Sequence, residues 1–98
     1  MNINEEYEWL KFFFDCYYNQ SFEGNLDERF IDILDSEKEW VIEKLRHEIL
    51  ELEKVYTKID SEKWNEIEAL VHENSLRYLP YDFGEEFIRT AKRHLFYK

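Results

Sequence analysis

Side chains able to do covalent or metal chemistry are few and scattered along this chain. Cys16 is the single thiol. It follows Asp15 in an aromatic segment, with no cation beside it in sequence to lower its pKa, so it reads as a buried structural cysteine. His47 has Glu43 and Glu51 four residues away on either side, and Glu68 lies four before His72. Such spacings put the groups on one helical face. Carboxylates are so abundant here that these pairs arise by chance. A carboxylate-bridged two-metal bundle needs Glu-x-x-His twice, yet the residues three before His47 and His72 are Lys44 and Ala69. No zinc pattern of Cys and His occurs. Two glycines, Gly24 and Gly84, cannot build a phosphate-binding loop. The chain therefore reads as a non-enzyme, with no catalytic residue, metal or cofactor expected.

Two aromatic and polar stretches have the make-up of a contact surface instead. Tyr17, Tyr18, Asn19 and Gln20 lead out of a helix towards Phe22 and Glu23. Tyr78-Leu79-Pro80-Tyr81-Asp82-Phe83 is followed by Glu85 and Glu86. Tyrosine is favoured at interfaces because a rigid ring carries a polar tip. Rings ringed by carboxylates would anchor a basic partner. The candidate partner-binding residues are therefore Tyr17, Tyr18, Asn19, Gln20, Glu23, Tyr78, Tyr81, Asp82, Phe83 and Glu86. The alternative for each stretch is a set of rings packed into the core.

The elements that would position these residues are helices. Tyr7, Leu10, Phe13, Phe14 and Tyr17 recur at spacings of three and four, predicting a helix over 5–18. Asn25 is placed to cap a short helix carrying Leu26, Phe30, Ile33 and Leu34. Ser36 and Glu39 form a Ser-x-x-Glu capping box, predicting a long helix with Trp40, Val41, Leu45, Ile49, Leu52 and Tyr56 inward. Asp60 or Ser61 caps a fourth helix, with Trp64, Ile67, Leu70 and Val71 inward. Pro80 disfavours helical geometry at Leu79, and Gly84 is placed to break or cap the chain. A last helix is expected over 85–96, with Phe87, Ile88, Ala91 and Leu95 inward. The fold class implied is all-α, a compact single-domain bundle of four to five short helices.

Composition agrees. The chain has 98 residues, enough for one domain with a modest core. Eight Phe, seven Tyr and three Trp exclude a disordered acidic tail. Two Gly and one Pro are too few for a sheet joined by tight turns. Residues 1–6 show no secretory leader, and no apolar run approaches the ~20 residues that span a bilayer. A single cysteine fits a reducing compartment, so a cytoplasmic location is expected. The net charge of −10 argues against a nucleic-acid backbone or an anionic membrane as partner. It favours a basic protein, whose approach it would steer. The four cations after Glu86, at Arg89, Lys92, Arg93 and Lys98, suit the end of a helix dipole.

The order of features resembles small immunity proteins of bacterial contact-dependent growth inhibition systems. One group of these carries Tyr-Phe-His-Gln-Asp after its first helix, where this chain has Tyr17, Tyr18, Asn19, Gln20 and Ser21. The aromatic pair and the glutamine agree, whereas the His and Asp are replaced by Asn19 and Ser21. The segment from His47 to Leu52 resembles that group's middle helix, and Tyr78 with Pro80 resembles its Tyr-x-Pro. In charge and architecture the chain is also similar, more loosely, to colicin nuclease immunity proteins. The resemblance implies an inhibitor that binds the C-terminal toxin domain of an effector, often a basic nuclease, one-to-one and blocks its active or substrate-binding site. An acidic adaptor, or a secretion-effector chaperone of a class that often dimerises, is the alternative. A nucleic-acid mimic would need carboxylates in rows, against the scatter seen here.

Overall fold

A computed structural model of the protein describes residues 2–21 and 24–96. Among them the chain is all-α, with helices α1 (Ile3–Glu6), α2 (Glu8–Cys16), α3 (Leu26–Ser36), α4 (Glu39–Thr57), α5 (Ser61–Ser75) and α6 (Tyr81–Phe96). They pack into one body of 33 × 27 × 25 Å. The most extensive packing joins α4 to α6, α2 to α5 and α3 to α6. No helix among the described residues is long and apolar enough to cross a membrane.

The core is built from the apolar faces that the periodicity marks. Phe13 stacks on Phe30 with ring centroids 4.4 Å apart, and Phe87 of α6 lies 5.5 Å from Phe14 and 5.8 Å from Phe30. Leu45, Ile49 and Leu52 of α4, Ile67 and Val71 of α5, and Ala91 and Leu95 of α6 complete it. Asn25 and Asp60 cap α3 and α5, accepting from the Glu28 and Lys63 amides. The basic residues near the chain end bind across the bundle as well as complementing a dipole. Lys92 pairs with Glu53 of α4 at 3.0 Å, and Arg93 and His94 both meet Asp27 of α3.

Five local expectations are corrected. First, the segment expected as one helix divides at Tyr7, whose backbone leaves helical geometry (φ −126°, ψ 32°). The cause lies on another helix. One carboxylate oxygen of Glu48, Oε1, accepts from the Trp9 amide at 2.9 Å and the Leu10 amide at 2.7 Å. These are first-turn donors that a helix start leaves without intrahelical partners. Second, Ser36 is the last residue of α3 and cannot be the extended N-cap of α4. Lys38 takes that place with no side-chain cap, and the capping box does not form. Third, Trp40 lies outside the inward stripe of Val41, Ile42, Leu45, Ile49 and Leu52; it is 55% exposed and meets the Trp9 ring edge-on. Fourth, Cys16 is exposed. Partial burial, then the charges of Asp15 and Glu37, raise its thiol pKa, so it still lacks nucleophile character.

Fifth, α6 starts at Tyr81, directly after Pro80, and Gly84 lies inside it. Gly84 is there for closeness of approach. A Cβ built on it would sit 2.8 Å from Trp64 Cη2 and 2.9 Å from Tyr56 Cδ1. Gly84→Ala is therefore expected to destabilise the fold by about 1–3 kcal/mol through overpacking. A urea midpoint equal to wild type would show that the two rings can move aside.

Glu48 generates a second prediction. Burial raises its carboxyl from the ordinary 4.5 to about 7, with Glu8 adding to the rise and the two amides and Lys44 opposing it. A raised folded pKa favours the fold below the unfolded value, and that contribution disappears as pH rises to about 7, by roughly 3 kcal/mol at 1.36 kcal/mol per unit. Glu48→Gln keeps the acceptor oxygen without the charge. The difference in denaturation free energy between variant and wild type should move in the variant's favour from pH 4.5 to pH 8. A constant difference would remove this role from Glu48.

Candidate partner-binding site

The two stretches singled out in the sequence meet in space. The Gln20 amide donates to the Ser75 carbonyl at 2.8 Å, tying the segment after α2 to the end of α5. Beside this tie is a cleft of about 410 Å³ lined by Tyr18, Gln20, Leu76, Arg77, Tyr78, Pro80 and Phe83. The Arg77 guanidinium lies 4.5 Å above the Tyr18 ring, a cation–π contact across the cleft wall.

The segment 76–80 that forms its rim is held from several sides. Ser75 Oγ, itself buried, donates to the Val71 carbonyl at 2.5 Å and accepts from the Arg77 amide at 3.1 Å. His72 Nδ1 lies 2.9 Å from the Arg77 carbonyl. A carbonyl only accepts, so this nitrogen carries the proton. The Leu79 amide donates to Glu68 Oε2 at 2.8 Å, and the Leu79 carbonyl accepts from the Trp64 indole at 2.8 Å. The Leu79 side chain is fully buried, while Leu76 and Tyr78 are 53% and 68% exposed. The Tyr78 ring stacks on His72 with centroids 4.4 Å apart. The result is an exposed apolar knuckle on a backbone with little freedom left.

Leu76 is the residue that sequence reasoning missed. It ends α5 in the left-handed region (φ 61°), a conformation that glycine or asparagine ordinarily supplies at a helix end. A leucine there, with its side chain largely in water, gives neither backbone ease nor core packing. Nothing in Asn74-Ser75-Leu76-Arg77 announces the turn, because no glycine marks it. Ile59 after α4 has the same combination (φ 56°, 68% exposed), but it does not line this cleft.

The predicted residues divide by environment. Tyr78, Gln20 and Phe83 line the cleft. Tyr18 lines it too, but is only 9% exposed and packs on Phe13 and Phe14. Glu86 lies close enough to oppose ionisation of the Tyr18 hydroxyl, whose pKa burial raises first. Tyr17 is half-buried, and its hydroxyl donates to Glu37 at 2.5 Å; burial and that bond push it to about 12. Asn19 is engaged locally, donating to the Asp15 carbonyl and accepting from the Ser21 amide. Tyr81 turns to the opposite side of α6, stacking on Tyr56 at 4.6 Å and donating to its carbonyl at 2.8 Å. Asp82, exposed, is among the charges that raise the Tyr56 hydroxyl pKa. Glu23 lies outside the described residues.

The histidines do not converge. His72 is committed to the rim, His94 bonds to Asp27 and stacks on Phe30, and His47 is exposed on α4. Among the described residues no three His, Cys, Asp or Glu side chains are placed to share a metal ion. Among the described residues, many Lys and Arg side chains pair with carboxylates, including Lys63 with Glu6 and Arg46 with Glu39 and Glu43. The acidic excess is thus what the surface offers to a visitor. Compared with known protein families, curated proteins and solved structures, the chain matches none.

The strain at Leu76 gives a direct prediction. Leu76→Gly should raise stability by about 1 kcal/mol, because a left-handed L-residue costs roughly that much and little burial is lost. A lower urea midpoint would mean that the leucine side chain supports the fold.

Proposed function

We propose that this protein is a non-enzymatic binding module that covers a basic partner protein through the knuckle formed by Leu76, Tyr78 and the adjoining cleft. Following the sequence resemblance, the partner we propose is the toxin domain of a growth-inhibition effector, held one-to-one and blocked from its substrate. The observation that carries this reading is the exposure of two large apolar side chains on a pre-set backbone, one of them at a left-handed position. Strain of this kind collects at functional sites. A rim already ordered before binding loses little entropy on association. Rings beside a deep contact are the usual source of interface energy. The surplus carboxylates supply attraction at range, which speeds encounter with a basic surface.

The test is titration calorimetry with the toxin domain encoded beside this chain's gene. Tyr78→Ala should weaken binding at least tenfold, about 1.4 kcal/mol or more, while leaving the urea midpoint within about 0.5 kcal/mol of wild type, as expected for an exposed site. The association rate should fall with added salt. Wild-type affinity in Tyr78→Ala would remove the knuckle from the interface. No binding to a folded, active toxin would remove the toxin reading for that pair.

A further inference from the structure

Four aromatic rings outside the knuckle form a continuous strip where α2 meets the start of α4. Trp40 lies edge-on to Trp9 with centroids 5.4 Å apart, Trp9 meets Phe12 at 5.3 Å, and Phe12 meets Tyr17 at 6.0 Å. None of the four lines the aromatic cleft. Trp9, Phe12 and Tyr17 are half-buried and pack one side on the core, whereas Trp40 is 55% exposed. The core is served on α4 by Val41, Ile42 and Leu45, and the indole before them is left over from that stripe. Apolar side chains scattered singly over a surface need no explanation, but contiguous ones mark a contact.

The surroundings of the strip say what would cover it. Its Trp9 end borders an acidic groove of about 870 Å³, lined mostly by glutamates, Glu8, Glu43 and Glu48 among them, against Lys44 and His47. At the other end the Tyr17 hydroxyl donates to Glu37. A second copy of this chain, itself at −10, would bring carboxylates against carboxylates, and an anionic membrane would do the same. Apolar side chains framed by cations match both the rings and the charge. Spacing supplies the shape. Successive centroids lie about one α-helical turn apart, ~5.4 Å, so side chains one turn apart on a partner helix can meet successive rings.

We propose that this strip docks a basic amphipathic helix of the partner protein, its apolar face on Trp40, Trp9 and Phe12 and its Lys and Arg side chains toward the carboxylates at either end. The inference deepens the proposed function, rests on its premise of a basic partner, and adds a contact apart from the knuckle.

The test uses the whole protein, labelled with a nitrogen isotope, and a model amphipathic helix of about four turns built only of Leu and Lys. NMR follows the indole N–H signals of the three tryptophans. Saturable shifts are expected at Trp9 and Trp40. Trp64, buried and bonded to the Leu79 carbonyl beside the knuckle, should stay unmoved. A Leu and Glu helix of the same pattern should bind at least about tenfold more weakly, and added salt should narrow that gap. Trp40→Ala should weaken binding of the Leu and Lys helix about tenfold, as for an interface tryptophan, with a urea midpoint near wild type at this exposed site. Tyr78→Ala should change it by less than about twofold, being outside the strip. Equal binding of the two helices, wild-type affinity in Trp40→Ala, or a shift at Trp64 without Trp9 and Trp40 would overturn the proposal. So would self-association of the protein alone that Trp40→Ala abolishes, which would give the strip to a second copy. The two readings fail separately: the helix assay contains no toxin domain, and the knuckle is read by Tyr78→Ala with the intact toxin domain.

Discussion

The Trp64 indole connects the interior of this protein to its candidate surface. Its N–H donates to the Leu79 carbonyl at 2.8 Å, and its ring lies so close to Gly84 that a methyl group there would collide. The first contact pins the loop after α5 to the core. The second sets how near α6 comes to α5, and with Tyr56 and Tyr81 it forms an aromatic corner at the first turn of that helix. Between these two anchors the chain has few residues in which to turn. Leu79 goes inward, and Tyr78 and Leu76 are left outward. The knuckle thus follows from core packing; the left-handed backbone at Leu76 is the local strain that this path demands.

Glu48 plays a comparable part at the other end of the bundle. A carboxylate on α4 supplies the cap that Tyr7 cannot, so the start of α2 is fixed by a residue 38 positions away in sequence from Leu10. The same side chain brings a poorly solvated charge to the floor of an acidic groove. Capping favours its ionised form and burial opposes it; burial prevails, which is why its carboxyl titrates near 7. One residue therefore couples the geometry of the N-terminal helices to the local charge.

Helical periodicity made the core legible: nearly every position at a spacing of three or four from Tyr7 to Leu95 is buried, and the caps at Asn25 and Asp60 stand where side-chain chemistry places them. What periodicity could not carry was any feature decided by a distant partner. The break at Tyr7 depends on Glu48, and the helical state of Gly84 depends on Trp64. The Ser36 capping box is a sound local signal overridden because α3 keeps its last turn. Of the candidate site, the aromatic stretches were visible and their adjacency was not, since a backbone bond from Gln20 to Ser75 leaves no mark on side-chain type. Leu76 was invisible for a different reason: a strained leucine in a turn looks like any other leucine.

The division of chemistry over the surface bears on how such a module would work. Charge acts at range but contributes little per exposed pair once salt screens it. Buried rings act only on contact, yet supply most interface energy. At the knuckle the two properties are spatially separated. The apolar knuckle is framed by residues that lock its shape, whereas carboxylates gather beside Glu48. A partner drawn in by the general negative field would then be held by the knuckle.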